Sequence, residues 1–213
     1  MRGVFVTGTD TGVGKTVVSA ALMVRYRAAR YWKPIQTGAD NDTGEVLRLS
    51  WSLPEAAHLQ GIRLGDPVSP HLAAERAGTR IDLSSLTAEL KESVDPWIVE
   101  GAGGVLVPIN ESHLMVHLMG RLGLPVVVAA RTTLGTINHT LLTIEALRAR
   151  KLVVAGVVMV GDRDRDNRAA IEQYGGVEVV GEMPRFEPLI PVALAAWASG
   201  QLDTENRLAE FLT

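Results

Sequence analysis

Five short runs of this chain are built almost wholly from valine, isoleucine and small apolar residues: GVFVT (3–7), PWIVE (96–100), PVVVAA (125–130), VVAGVVMV (153–160) and VEVVGEM (177–183). A strand with one face in water alternates apolar and polar residues. A run without that alternation belongs to a strand covered on both faces. Between the runs lie segments of helical pattern near 15–29, 82–93, 112–122, 136–150 and 165–174. This alternation predicts an α/β fold: a doubly wound, mostly parallel sheet with helices on both faces. In such sheets ligands gather at the carboxyl ends of the strands. Gly8 to Thr16, Glu100 to Gly104 and Arg131 to Asn138 all fall at that edge.

The length of 213 residues suits one domain over 1–213, with two small ones as the alternative. There is no internal repeat, low-complexity tract or linker-like stretch. Segment 34–80, rich in Gly, Pro, Asp and Ser, is expected to form long functional loops. A net charge of −3 gives no general pull towards nucleic acid or an anionic membrane. With no cysteine, disulfides, thiolate metal sites and thiol catalysis are excluded together. The opening Met-Arg-Gly-Val-Phe-Val enters a strand at once and lacks the pattern of a secretory signal. No apolar stretch has the length to span a bilayer. The expectation is a cytoplasmic protein.

The run VTGTDTGVGKTVVSA (6–20) reads as strand, glycine-rich turn and helix start. A phosphate cradle needs converging backbone N–H groups, glycines for close approach, a helix N-terminus, a lysine and a hydroxyl for magnesium. Gly8, Gly12, Gly14, Lys15 and Thr16 supply these parts, which makes the fold P-loop NTPase-like. The strict G-x-x-x-x-G-K-[ST] spacing is not met, because Thr9 stands where its first glycine belongs. The bland alternative is a capped turn with a chance Gly-Lys-Thr; the strand before it and the helix after it disfavour that. No second lysine opens the loop, which argues against a partition-type ATPase. No N-K-x-D stretch occurs, which argues against a guanine-specific switch.

Two further stretches carry chemistry. In YWKPIQTG (31–38), Pro34 biases Lys33 towards an extended backbone. At a strand end on the ligand edge, Lys33 would bring a second cation to the phosphates; a surface lysine is the plain alternative. Lys15 and Lys33 are two of only four lysines in an arginine-preferring chain. In WIVEGAGG (97–104), Glu100 stands at an expected strand end, able to face magnesium opposite Thr16; a solvated glutamate before a flexible turn is the alternative. The acidic run DNDTGEV (40–46) adds Asp40, Asp42 and Glu45 as candidate ligands.

Taken in series, GTDTGVGKT (8–16), KPIQTG (33–38), SPH (69–71), VEGAGG (99–104), LGTINHTLLT (134–143) and GEMP (181–184) resemble the dethiobiotin synthetase family over nearly the whole chain. The resemblance implies an ATP-dependent ring closure. Carbon dioxide adds to one amine of 7,8-diaminopelargonate, ATP phosphorylates the carbamate to a mixed anhydride, and the second amine closes the cyclic urea and releases phosphate. It implies ATP as co-substrate, Mg2+ as cofactor and a homodimer. Lys15, Lys33 and Thr11 match catalytic positions. Gly12, Val13, Gly14, Thr16 and Val17, with Gly101, Ala102 and Gly103, match positions along the nucleotide. Thr16, Glu45 and Glu100 match the magnesium positions, Glu45 standing for the usual Asp. Thr37, Ser69 and Pro70 match substrate positions. Gly135, Thr136, Ile137 and Asn138 match a helix start that meets the substrate's tail carboxylate from the partner subunit. Val160, Gly161, Pro184, Arg185 and Phe186 match the surroundings of the base. Val160 stands where an asparagine usually reads adenine, so a relaxed base preference is expected. The arginine-rich run 162–168 reads as a solvated turn. Two rival readings share the cradle: a nucleotide-switched regulatory or partition ATPase, and a small-molecule kinase that leaves phosphate on its product.

Overall fold

The computed structural model of the chain describes residues 1–88 and 95–213. At its centre lies β1 (Gly3–Gly8). On one side of it stand β6 (Trp97–Gly104), β2 (Arg30–Trp32) and the short edge strand β4 (Ala57–His58); on the other stand β7 (Val126–Arg131), β8 (Val154–Val160) and β9 (Val179–Met183). All these pairings are parallel, and the spatial order is β4-β2-β6-β1-β7-β8-β9. The chain winds outward from β1 in both directions, so its carboxyl edge is a topological switch point.

Both faces of the sheet are covered, as the unbroken Val/Ile runs require. Within β1, Phe5 enters one core layer while Val4 and Val6 enter the other. The Phe5 side meets α5 (Met115–Leu122), α6 (Thr136–Arg148) and α7 (Arg165–Gly175) through Met115, Leu118, Ile144 and Ile171. The Val4 side meets α1 (Lys15–Arg25), α2 (Asp42–Ser50) and α8 (Pro191–Gln201) through Val18, Leu22, Val46, Leu49 and Trp197. A final turn, α9 (Ala209–Leu212), closes that layer with Leu212.

Several expectations change. Residues 34–80 are not chiefly loops: they form β3 (Ile35–Thr37), α2, β4, β5 (Ile62–Leu64) and α3 (Pro70–Arg76), with β3 and β5 paired as a separate parallel ribbon. SPH therefore opens a helix, with Ser69 at its N-cap and Pro70 in its first turn. Glu100 is not at a strand end, because β6 continues through the glycines to Gly104 beside β1. Helix α1 stops at Arg25, four residues early, where Tyr26 leaves helical backbone and its phenol bonds the buried Asp203. The expected helix 82–93 begins as α4 (Leu83–Ala88); residues 89–94 lie outside the described residues. Among the described residues no helix is long and apolar enough to cross a membrane.

Candidate active site

The glycine-rich turn joins β1 to α1 and leaves the first N–H groups of α1 facing the sheet's carboxyl edge. Gly14 is the N-cap, at φ 95°. That left-handed backbone suits glycine, and a β-carbon there would lie 3.2 Å from Val160 Cγ1. Lys15 is buried, and its ammonium donates to the Asp10 carbonyl at 3.0 Å. Burial, and next the nearby Lys33 cation, hold the Lys15 pKa below the ordinary lysine value.

Opposite the turn, Glu100 is wholly buried and accepts four hydrogen bonds. Oε1 accepts from Thr16 Oγ1 at 3.1 Å and Lys33 Nζ at 2.7 Å. Oε2 accepts from Ser19 Oγ at 2.9 Å and the Tyr31 hydroxyl at 3.0 Å. Burial first, and then the Glu100 charge, push the Tyr31 phenol well above its usual pKa, so it remains a donor.

Lys33 follows β2, and Pro34 fixes the turn into β3. Its ammonium also lies 2.8 Å from Asp42 Oδ2 and donates to the Gly101 carbonyl at 3.1 Å. Burial works against the charge, but Glu100 and Asp42 outweigh it and hold the Lys33 pKa above its ordinary value. Asp42 opens α2 behind the N-cap Asn41, whose side chain accepts from Gly44 N–H at 3.1 Å.

Glu45, expected among the magnesium positions, lies in the first turn of α2. Its carboxylate is taken by Arg48, one turn along α2, at 2.7 and 2.8 Å, and it does not line the cavity. The carboxylate of this run that reaches Lys33 is Asp42. The capped start of α2 sends position 42 inward and leaves position 45 on the outer, half-exposed side.

These groups border one cavity of about 610 Å³. Thr11, Gly12, Gly14, Lys15 and Thr16 line it from the phosphate loop. Lys33, Thr37, Asp40 and Asp42 line it as well, with Ser69 and Pro70 at the start of α3 and Glu100, Ala102 and Gly103 of β6. Gly101 reaches Lys33 through its carbonyl, while Val13 is buried and Val17 packs against the α1-side core. The sequence reading did not name Gln36, Pro67, Val68 and Val107, which also line the cavity. Gln36 is buried, and its side-chain oxygen has no partner among the described residues. Its place between Lys33 and Thr37 was the available signal.

Two groups of expected residues lie apart from that cavity. Gly135, Thr136, Ile137 and Asn138 open α6 but do not line the cavity of their own chain. The N-cap is Gly135, and the hydroxyl of Thr136, the first residue of the helix, bonds the Arg131 carbonyl. The residues expected around the base gather where β8 and β9 end. Val160 pairs with Met183, Gly161 N–H donates to the Met183 carbonyl at 2.9 Å, and Pro184 and Arg185 are exposed beyond, with Phe186 packed on the α1-side core.

A family model described as an AAA domain (AAA_26) matches residues 2–193. A protein of Paramagnetospirillum magneticum named ATP-dependent dethiobiotin synthetase BioD is 54% identical over 203 residues, covering 94% of each chain. The chain belongs to the dethiobiotin synthetase family. A synthetase of the same name from Rhodopseudomonas palustris is 46% identical over 212 residues, covering 98% of each chain. The match extends to the biotin biosynthesis bifunctional protein BioCD of Bordetella avium, 50% identical over 97% of this chain; the chain spans 44% of that protein's length. Among solved structures, the chain is similar to a chain of the MinC:MinD cell division protein complex of Aquifex aeolicus (TM-score 0.60, 17% identity, 99% of this chain and 96% of that one). It is also similar to the Pyrococcus furiosus cell division ATPase MinD (TM-score 0.58, 17% identity, 93% and 97%). These likenesses show the fold alone, a mostly parallel sheet flanked by helices. They do not favour a partition activity.

Proposed function

We propose that this chain makes dethiobiotin from 7,8-diaminopelargonate, carbon dioxide and ATP, with the cavity between Lys15, Lys33 and Glu100 as its site. The observation that carries the assignment is the Lys33 ammonium, buried between Glu100 at 2.7 Å and Asp42 at 2.8 Å in the cavity that the phosphate loop also lines. A lysine so held is a fixed positive charge beside the place where a γ-phosphoryl group meets its acceptor.

In this reading the loop N–H groups from Gly12 to Val17 and the Lys15 ammonium hold the triphosphate. Thr11 and Lys33 flank the carbamate oxygen that takes the γ-phosphoryl group, and Lys33 offsets the negative charge gathered there. Thr37, Ser69 and Pro70 seat the diamine so that its free nitrogen faces the mixed anhydride. Attack by that nitrogen forms the urea C–N bond and expels phosphate. Gly101 to Gly103 let the substrates lie close to the backbone, and Val160, Gly161 and residues 184–186 surround the base.

The donor set fits magnesium: the Thr16 hydroxyl and the Glu100 and Asp42 carboxylates are hard oxygen groups that line the same cavity, few enough to leave room for phosphate oxygens and water. When bound there, Mg2+ would neutralise charge on the β- and γ-phosphates. Asp42 takes the place expected of Glu45. We also propose a cytoplasmic homodimer of single-domain subunits, in which Gly135 to Asn138 of one subunit meet the substrate tail held by the other. Their separation from the cavity of their own chain supports that arrangement.

The test is phosphate release and dethiobiotin formation from Mg-ATP, bicarbonate and diaminopelargonate. Product should appear one-for-one with free phosphate, and Lys33→Ala should lower kcat by roughly 10²–10³-fold. ATP hydrolysis indifferent to the diamine would return the switch reading. Phosphate retained on the product would return the kinase reading.

A further inference from the structure

The four donors on Glu100 are of two kinds. Thr16 and Lys33, which bond Oε1, line the cavity; Ser19 and Tyr31, which bond Oε2, are fully buried behind it. The chain brings the second pair together by two periodicities. Thr16 and Ser19 are three residues apart on α1 and so share a helix face. Tyr31 lies opposite Ile98 in the β2–β6 register, and Ile98 is two residues from Glu100. Tyr31 and Glu100 therefore leave their strands on the same face, the one that α1 covers.

We propose that Ser19 and Tyr31 are positioning residues that lock Oε2 of Glu100, so that the carboxylate presents Oε1 alone to the cation and phosphate side of the site. The inference rests on the reading of Glu100 as the carboxylate that faces magnesium. A glutamate held only at its backbone swings about its terminal torsion and offers either oxygen, or both. Two hydroxyl donors from different elements, α1 and β2, fix the carboxylate plane. Both are uncharged, so they leave the carboxylate's charge in place, and neither borders the cavity, so an arriving phosphate does not draw them away. The partners of Oε1 are the exchangeable ones: the Lys33 ammonium and the Thr16 hydroxyl both face the phosphates. One oxygen is thus structural and the other available, and groups that orient a ligand in this way set its metal affinity.

Tyr31→Phe removes only the phenol oxygen from a filled core position. In the intact protein with ADP bound, Mn2+ affinity measured by electron paramagnetic resonance should fall roughly 10–100-fold, while ADP affinity without metal stays within about twofold. Ser19→Ala should shift Mn2+ affinity in the same direction and carries the test if Tyr31→Phe does not fold. The double variant should lose less than the product of the two single losses, because both act through one carboxylate. A lower Tm with unchanged Mn2+ affinity in both single variants would make these residues core contacts only and overturn the proposal. Glu100→Gln separates the levels. If it weakens Mn2+ binding and the two single variants do not, the positioning role fails and the reading of Glu100 stands. If it too leaves Mn2+ binding unchanged, the reading of Glu100 falls and takes the proposal with it.

Discussion

Asp42 and Glu45 are three residues apart on one helix, yet they face different partners: Asp42 lies 2.8 Å from the Lys33 ammonium, and Glu45 is paired with Arg48. Asp42 is mostly covered, with 22% of its side chain exposed, whereas Glu45 and Arg48 are exposed at 39% and 49%. An exposed pair of this kind is worth little, whereas taking the carboxylate from beside a buried cation leaves that charge uncompensated and costs much more. Asp42→Asn should therefore lower kcat/KM for ATP by about tenfold or more and raise the magnesium needed for half-maximal rate. Glu45→Gln should leave both within about twofold. The comparison is read from initial rates over a magnesium series, and a larger loss from Glu45→Gln would reverse the assignment. Lys33, Glu100 and the phosphate loop were legible in the sequence because each sits beside a fixed punctuation mark: a proline, a glycine run, a Gly-Lys-Thr. Asp42 was not singled out from its acidic neighbours, because the direction of an acid in a helix's first turn depends on where the helix begins. Asn41 sets that start, through a cap that lies in a stretch read as loop.

At the level of elements, the long central strands were legible and the short ones were not. Val and Ile in unbroken runs mark strands such as β1, β7 and β8 by composition alone. β3 and β5 hold three residues each, too few to show a period, and they exist because they pair with one another. Strand ends mattered as much as strand existence. β8 ends at Val160, whose methyl groups pack against Gly14 of the phosphate loop and whose backbone pairs with Met183. An apolar side chain in that place supports the turn that grips phosphate and offers no hydrogen bond to a base. The expected consequence is similar rates with ATP, GTP and CTP. Val160→Asn should raise the preference for ATP by roughly tenfold, the scale of one added hydrogen bond. Rates with a panel of nucleoside triphosphates decide the matter, and strict use of ATP by the unaltered chain would show that backbone groups near Gly161 already read adenine.

For the whole molecule, the strand order places the phosphate loop, Lys33 and Glu100 on one edge around β1, and α6 follows the carboxyl end of the neighbouring β7. The start of α6 does not line the cavity it is expected to serve, yet a second groove of about 420 Å³ runs from Thr9 to Thr11 past Leu106 to His139 and Leu142. Leu106 and Leu142, which line it, are half or more exposed. In the proposed homodimer a two-fold partner would cover this apolar surface, and each subunit would lend the same helix start to the other's cavity. That geometry is testable without a structure of the dimer. Lys33→Ala and Asn138→Asp each disable a site, one on the phosphate side and one at the tail carboxylate, where an added negative charge repels it. Unfolded together and refolded as a mixture, half of the dimers carry one chain of each kind. If Asn138 acts in its partner's cavity, one of the two cavities in such a mixed dimer has both residues intact. Activity should then recover to about one quarter of that of the unaltered protein. If Asn138 serves the cavity of its own chain, every cavity in the mixture keeps one defect and nothing recovers. The loss of recovery at dilutions that separate the subunits would tie the regained activity to the dimer itself.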